Sequence, residues 1–174
     1  MSPDPEPVAN ALVSLRTTSE EHHARLVPHV DRLQVLAEMV GHVDCAALHA
    51  AFEEEYAFVV GQLVPHMDTI ETKLYGPLEE LMAGRHSLEP MREEHTAMRE
   101  LVAELGRYRS HVDDCSWSAI EGMALRRALY RLYALLKVHL AEEELYLGVL
   151  DAHLTEAEKD RLARSLDHAM AEPL

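Results

Sequence analysis

The sequence predicts an all-α fold, an antiparallel up-down four-helix bundle with a short C-terminal helix. Apolar residues recur at three- and four-residue steps through four stretches of roughly thirty residues each. The composition agrees: the 174 residues include only 7 Gly, 2 Phe and 1 Trp beside many Leu, Ala, Glu and Arg, which favours helices over short strands. Four such helices joined by short connections pack as neighbours. A chain of this length buries a sizeable core, and residues 1–174 are expected to form a single domain with its core at about residues 8–153.

Through about residues 8–40, Leu12, Leu15, Leu26, Leu33, Leu36 and Val40 share one helical face, and Gly41 is a stop signal. Asp44 is a suitable N-cap for a second helix that carries Leu48, Phe52, Tyr56, Val59, Leu63, Ile70 and Leu74 to a break expected at Gly76-Pro77, with an extension to about Met82. Ser87 and Pro90 open a third helix over about residues 89–112, with Met91, Met98, Val102 and Leu105 in line. Ser118 and Glu121 form a capping box for the fourth helix, which runs to about His153 along Leu125, Leu129, Leu132, Leu136, Tyr146 and Leu150. Thr155 and Glu158 form a second box, starting a terminal helix over about residues 155–170. The run Leu-Val-Pro-His occurs twice, at Leu26 to His29 and at Leu63 to His66, so that a helix-distorting proline precedes a histidine in each of the first two helices.

A net charge of −15 excludes a nucleic-acid partner, which needs a basic surface, and disfavours an anionic membrane. No stretch approaches ~18 uncharged apolar residues, and the first ten residues have no basic flank or apolar run, so neither a membrane span nor a signal peptide is expected. The expected location is cytoplasmic. Cys45 and Cys115 lack a CxxC spacing and in a reducing compartment are expected to be free thiols.

Twelve histidines are unusual, and their register matters more than their number. His139 and Glu143 interrupt the apolar ladder of the fourth helix as an H-x3-E pair. His95 stands between Met91 and Met98, and His66 between Leu63 and Ile70. In the first helix His22 and His29 lie on the seam and His23 at its edge. A buried carboxylate without a partner is prohibitively costly, and buried imidazoles need partners too; a metal ion satisfies all of them together. Imidazole nitrogen with carboxylate oxygen suits iron, zinc or manganese, and bundle interiors are where paired-metal carboxylate sites are built. The other histidines, His42, His49, His86, His111, His153 and His168, fall at helix ends or on polar faces and are expected to be solvated.

With its runs Glu21 to His29, Leu63 to Tyr75, Arg92 to His95 and His139 to Tyr146, the chain resembles the hemerythrin-like, or HHE cation-binding, family over about residues 20–150. Carried over residue by residue, the resemblance implies His23, His66, His95, His139 and Glu143 as metal ligands, with His29 a fifth nitrogen or an outer partner. The family pattern favours His23 and the heptad seam His22, and the sequence leaves both open. The third helix lacks the second histidine of oxygen-carrying hemerythrins, and Arg99 stands in its place. In the second helix the position four after His66 is Ile70, so the carboxylate would have to come from Glu71, ~140° round an ideal helix from His66 unless the Pro65 kink or a π-bulge advances it.

The resemblance implies a non-haem iron centre, in particular di-iron, with another divalent metal as the alternative. It implies a small diatomic ligand or peroxide as partner, in O2 binding, O2 or NO sensing, peroxide or NO chemistry, or iron handling. Whether the chain is an enzyme, and its oligomeric state, stay open. The competing reading is a metal-free or zinc-stabilised helical bundle that serves as an interaction module.

Overall fold

The computed structural model of the chain describes residues 15–83, 85, 87–114 and 116–171. Every element among them is helical: α1 (Leu15–Met39), α2 (Cys45–Phe58), α3 (Val64–Ile70), α4 (Gly76–Leu81), α5 (Glu89–Asp114), α6 (Ala119–Asp151) and α7 (Glu156–Ala171). Five-residue π turns, Val59–Leu63 and Glu71–Tyr75, link α2 to α3 and α3 to α4. The expected first residues of the opening helix, 8–14, lie outside the described residues, as do His86, Cys115 and the side chain of His168.

The ends follow local chemistry. Asp44 accepts a bond from the Ala47 N–H at the start of α2, and the Ser118–Glu121 box is complete at the start of α6. At Thr155 the backbone N–H and the hydroxyl both donate to the Glu158 carboxylate. Gly41, with φ of 78°, follows α1 in the left-handed conformation that glycine adopts without strain. Arg126 of α6 donates to the carbonyls of Ala37 and Val40, satisfying groups left unpaired at that helix end.

The second rod departs from expectation at one point: the chain does not break at Gly76-Pro77 but stays helical from Cys45 to Leu81. Proline clashes with the carbonyl four residues back. For Pro65 that residue is Gly61, and for Pro77 it is Lys73; each lies inside a π turn, where the widened backbone relieves the clash. The apolar steps Val59, Leu63, Met67 and Ile70, Leu74, Leu78 are four residues each, which would precess ~40° per step on a straight α-helix. An extra residue per π turn absorbs that drift, and all six side chains are buried.

α6 packs against α1 and α5, and α2 also touches both; α7 lies across α1, α3 and the second π turn. Buried apolar residues divide into two clusters. The larger includes Leu33, Leu48, Leu63, Met67, Met98, Leu129 and Leu140, and the smaller, under α7, includes Ile70, Leu74, Met91, Leu147 and Leu162. His66 falls between Leu63 of one and Ile70 of the other, His95 between Met91 and Met98, and Glu143 between Leu140 and Leu147. A buried polar layer therefore separates the two clusters.

Cys45 is disulfide-bonded, which corrects the expectation of free thiols; its sulfur lies 3.7 Å from the Val112 carbonyl, so α2 begins against the end of α5, next to the other cysteine in sequence. Sequence spacing carries no information about such a closure, which depends on how the helices pack.

Candidate metal centre

The polar layer consists of His23, His66, His95, His139 and Glu143, each at most 6% exposed, and Tyr75, which is fully buried. Four rods contribute: α1 gives His23, the second rod His66 and Tyr75, α5 His95, and α6 His139 and Glu143. Tyr75 reaches the layer through the π turn that contains it. Nine α-helical residues would set it ~180° from His66; the added residue reduces that to ~80°.

His95 donates from Nδ1 to Glu71 Oε1 at 2.8 Å, and His139 from Nδ1 to Glu94 Oε2 at 2.6 Å. With those nitrogens acting as donors, each ring's Nε2 carries the lone pair, and the two Nε2 atoms face each other at 3.0 Å. Burial, aided by the charge of a neighbouring histidine, lowers the pKa of both histidines against the opposing pull of nearby carboxylates, so a bridging proton is disfavoured. His66 is more extreme: burial pushes its pKa to about 3, Glu143 offsets this only in part, and its Nδ1 is buried with no hydrogen-bond partner. His95 and His139 thus turn unprotonated Nε2 atoms towards each other, and His66 stays neutral with its Nδ1 unpartnered in the same layer.

Glu143 supplies the charge. Its Oε2 accepts from His23 Nε2 at 2.8 Å and its Oε1 from the Tyr75 hydroxyl at 2.5 Å. Burial alone would raise its pKa; the bond and charge of His23, with His139 and Tyr75, more than reverse that and hold it at about 2. Burial likewise opposes protonation of His23, but Glu143 on Nε2 and Glu144 on Nδ1 at 3.0 Å raise its pKa. Burial and the adjacent Glu143 push Tyr75 upward, so the phenol keeps its proton beside that carboxylate. The chemistry of the donor set fits a cation: three neutral imidazoles, two of them with facing lone pairs, one ionised carboxylate, and a fourth imidazole whose proton a metal would replace.

Of the residues singled out in sequence, the structure brings His23, His66, His95, His139 and Glu143 together. His22 is buried nearby but bonds Arg25 through Nδ1 at 2.5 Å. His29 is placed elsewhere: its Nδ1 lies 3.1 Å from Glu55, Arg32 is the other neighbour of that carboxylate, and its ring stacks on Phe58. Glu71 turns inward yet stops behind His95, where Oε1 also accepts from Arg99 at 2.9 Å. No π turn falls between His66 and Glu71, so the one-residue offset persists. Tyr146 donates to the Ser87 carbonyl, apart from the layer.

Of Glu94 and Glu144, which hold the outer nitrogens of His139 and His23, sequence reasoning missed Glu94 and assigned Glu144 no role as a ligand or partner. Glu94 directly precedes His95, and Glu144 ends the Glu142–Glu144 run; position beside a ligand was the available signal, and solvated glutamates share it. A carboxylate behind a histidine fixes its tautomer and raises its basicity as a ligand.

A second group, His49, Glu53 and Asp113, brings one ligand atom from each residue within 4.8 Å of the others. It lies ~25 Å along the second rod from His66. Its members are already paired, His49 with Asp113 at 3.0 Å and both Glu53 oxygens with Arg109, and the site is open to solvent.

No helix among the described residues is long and apolar enough to cross a membrane. No curated protein and no solved structure matches the chain. The family model described as the hemerythrin HHE cation binding domain matches residues 15–168, most of the sequence and every residue of the polar layer. The chain belongs to the hemerythrin HHE cation-binding family.

Proposed function

We propose that this chain is a non-haem iron protein whose polar layer holds a metal pair, di-iron in the native state, and that it binds a small diatomic ligand or peroxide or handles iron. The observation that carries this reading is the 3.0 Å approach of His95 Nε2 and His139 Nε2 while carboxylates hold both opposite nitrogens. Two facing lone pairs repel, and a bound cation held by these rings would turn that repulsion into attraction. Bound iron would supply Lewis acidity and open positions for a small ligand.

The chain's own side chains have separable tasks in this reading. His23, His66, His95 and His139 are nitrogen ligands and Glu143 is the carboxylate between their helices. Glu71, Glu94 and Glu144 orient His95, His139 and His23 from outside. Tyr75, at 2.5 Å from Glu143, is placed to add a second oxygen donor where the usual helix-two carboxylate is Ile70. The apolar clusters above and below exclude water, which strengthens every charge interaction in the layer.

The same reading takes the fold as one domain, with α1, the second rod, α5 and α6 as an antiparallel up-down bundle and α7 across its metal end. Contacts of α6 with α1 and α5, and of α2 with both, support it.

Metal content and absorption of the purified chain test the proposal. About two iron per chain with visible absorption is the expected result, on the donor count above. A colourless, metal-free and fully helical protein that takes up no iron would overturn it in favour of an interaction module.

A further inference from the structure

The outward face of α6 is apolar although the chain carries a net charge of −15. Ile120, Met123, Tyr130, Val138, Leu145 and Val149 are the large residues of this face, exposed at 74, 61, 38, 50, 67 and 48%. On an ideal helix they fall within an arc of ~100°, and Ala134 and Ala141 lie in the same arc. Arg127 and Arg131 are the two charged residues inside it, and Arg131, at the edge of the arc, pairs with Glu104. Scattered exposed apolar residues are ordinary, but an apolar stripe broken only by two arginines along a 33-residue helix marks an interaction surface.

Charge along α6 indicates what covers the stripe. Its basic residues, Arg126, Arg127, Arg131 and Lys137, all precede Val138; Glu142, Glu143, Glu144 and Asp151 all follow it, and Glu121 in the capping box is the one acid before it. A helix divided in this way is complementary to itself when reversed. In an antiparallel pair centred near Ala134, the turn of Arg127 on one copy lies beside the turn of Glu142 on the other, and two-fold symmetry makes that contact twice. The small side chains of Ala134 and Ala141 near the centre let the helix axes approach closely. An anionic membrane fits poorly, because the acidic half of the helix would face it.

We infer that the outward face of α6 is a homodimer interface in which two copies of this chain pair antiparallel through the stripe from Ile120 to Val149. Sedimentation equilibrium of the iron-loaded full chain tests this. The wild type sediments as a dimer. Leu145→Glu and Val138→Glu place a charge in the apolar seam, weaken association by about a hundredfold or more, and leave helicity unchanged because both side chains point away from the core. Arg127→Glu weakens association by about tenfold, and adding Glu142→Arg restores it. A wild type that stays monomeric at every concentration, a dimer that persists in both Leu145→Glu and Val138→Glu, or a charge-swapped pair that does not recover would overturn the inference.

Discussion

His95 Nε2 and His139 Nε2 stand 3.0 Å apart, and Glu71 and Glu94 grip the other nitrogen of each ring. The arrangement sets two acceptors against each other in a space that burial makes hostile to protons. It is poised for a cation. The two carboxylates on the far nitrogens are arranged as outer partners of metal-bound histidines are, and they cost the layer no space.

Removing either ring removes one lone pair from that face. His95→Ala and His139→Ala are each expected to lower iron from about two per chain to one or fewer. Helicity should persist, because the apolar clusters on both sides of the layer are untouched. Metal analysis beside circular dichroism checks this; unchanged iron in both variants refutes the ligand assignment.

Metal should stabilise the fold by mass action. With free metal at a hundred times Kd, the gain is about 2.7 kcal/mol, which for a chain of this size raises Tm by roughly 5–10 °C. Calorimetry of metal-loaded and chelated protein measures it. Equal melting temperatures would contradict a site specific to the folded state.

The metal-free protein should weaken on mild acidification. His66 titrates at about 3 in the folded chain against 6.5 ordinarily, and His95 and His139 are also lowered. The unfolded chain therefore binds more protons, so the stability tied to these groups is present above 6.5 and lost as pH falls from 6.5 toward 3. His23 is raised and contributes oppositely: its share is present below 6.5 and lost as pH rises through its folded value. Glu143, depressed to about 2, loses its share only below 4.5. Three groups outweigh one, so urea stability should fall between about pH 7 and about pH 5, and His66→Gln should remove about 1.4 kcal/mol per pH unit of that slope. A flat profile in the parent chain would contradict the burial of neutral imidazoles.

The sequence made the helices and most of the polar layer legible because both rest on local period. Apolar spacing exposes an intruding His139 or Glu143 without any knowledge of neighbours, and the caps at Asp44 and Ser118 are written in a few residues. The misses are of another kind. Period alone placed His29 on the seam, but its partner Glu55 is a buried acid within the run Glu53–Glu55, where nothing local distinguishes the buried one from its solvated neighbours. The expected break at Gly76-Pro77 followed from proline's clash, and the chain answers that clash with a π turn instead. The bonding of Cys45 depends on how α2 meets α5, which no spacing encodes.

The second helix offers the sharpest test, since two residues compete for the role that Ile70 cannot fill. Glu71 holds His95 Nδ1 and Arg99, one residue removed from the space the Nε2 atoms share, while Tyr75 touches Glu143 inside it. Glu71→Gln keeps an acceptor for His95 and loses the charge that makes the ring basic, so iron affinity should fall about 10–100-fold with the visible spectrum unshifted in position. Tyr75→Phe removes an oxygen from the layer at nearly constant volume. Its expected signature is the loss of a visible charge-transfer band, because iron would displace the phenol proton that the metal-free chain retains, and a phenolate donor gives a colour that an imidazole or carboxylate does not. Iron-titrated samples of the two variants, followed by absorption and metal analysis, separate the roles. If Tyr75→Phe leaves iron content and spectrum unchanged while Glu71→Gln no longer holds two irons, Glu71 is the direct donor and Tyr75 only a hydrogen-bond partner of Glu143.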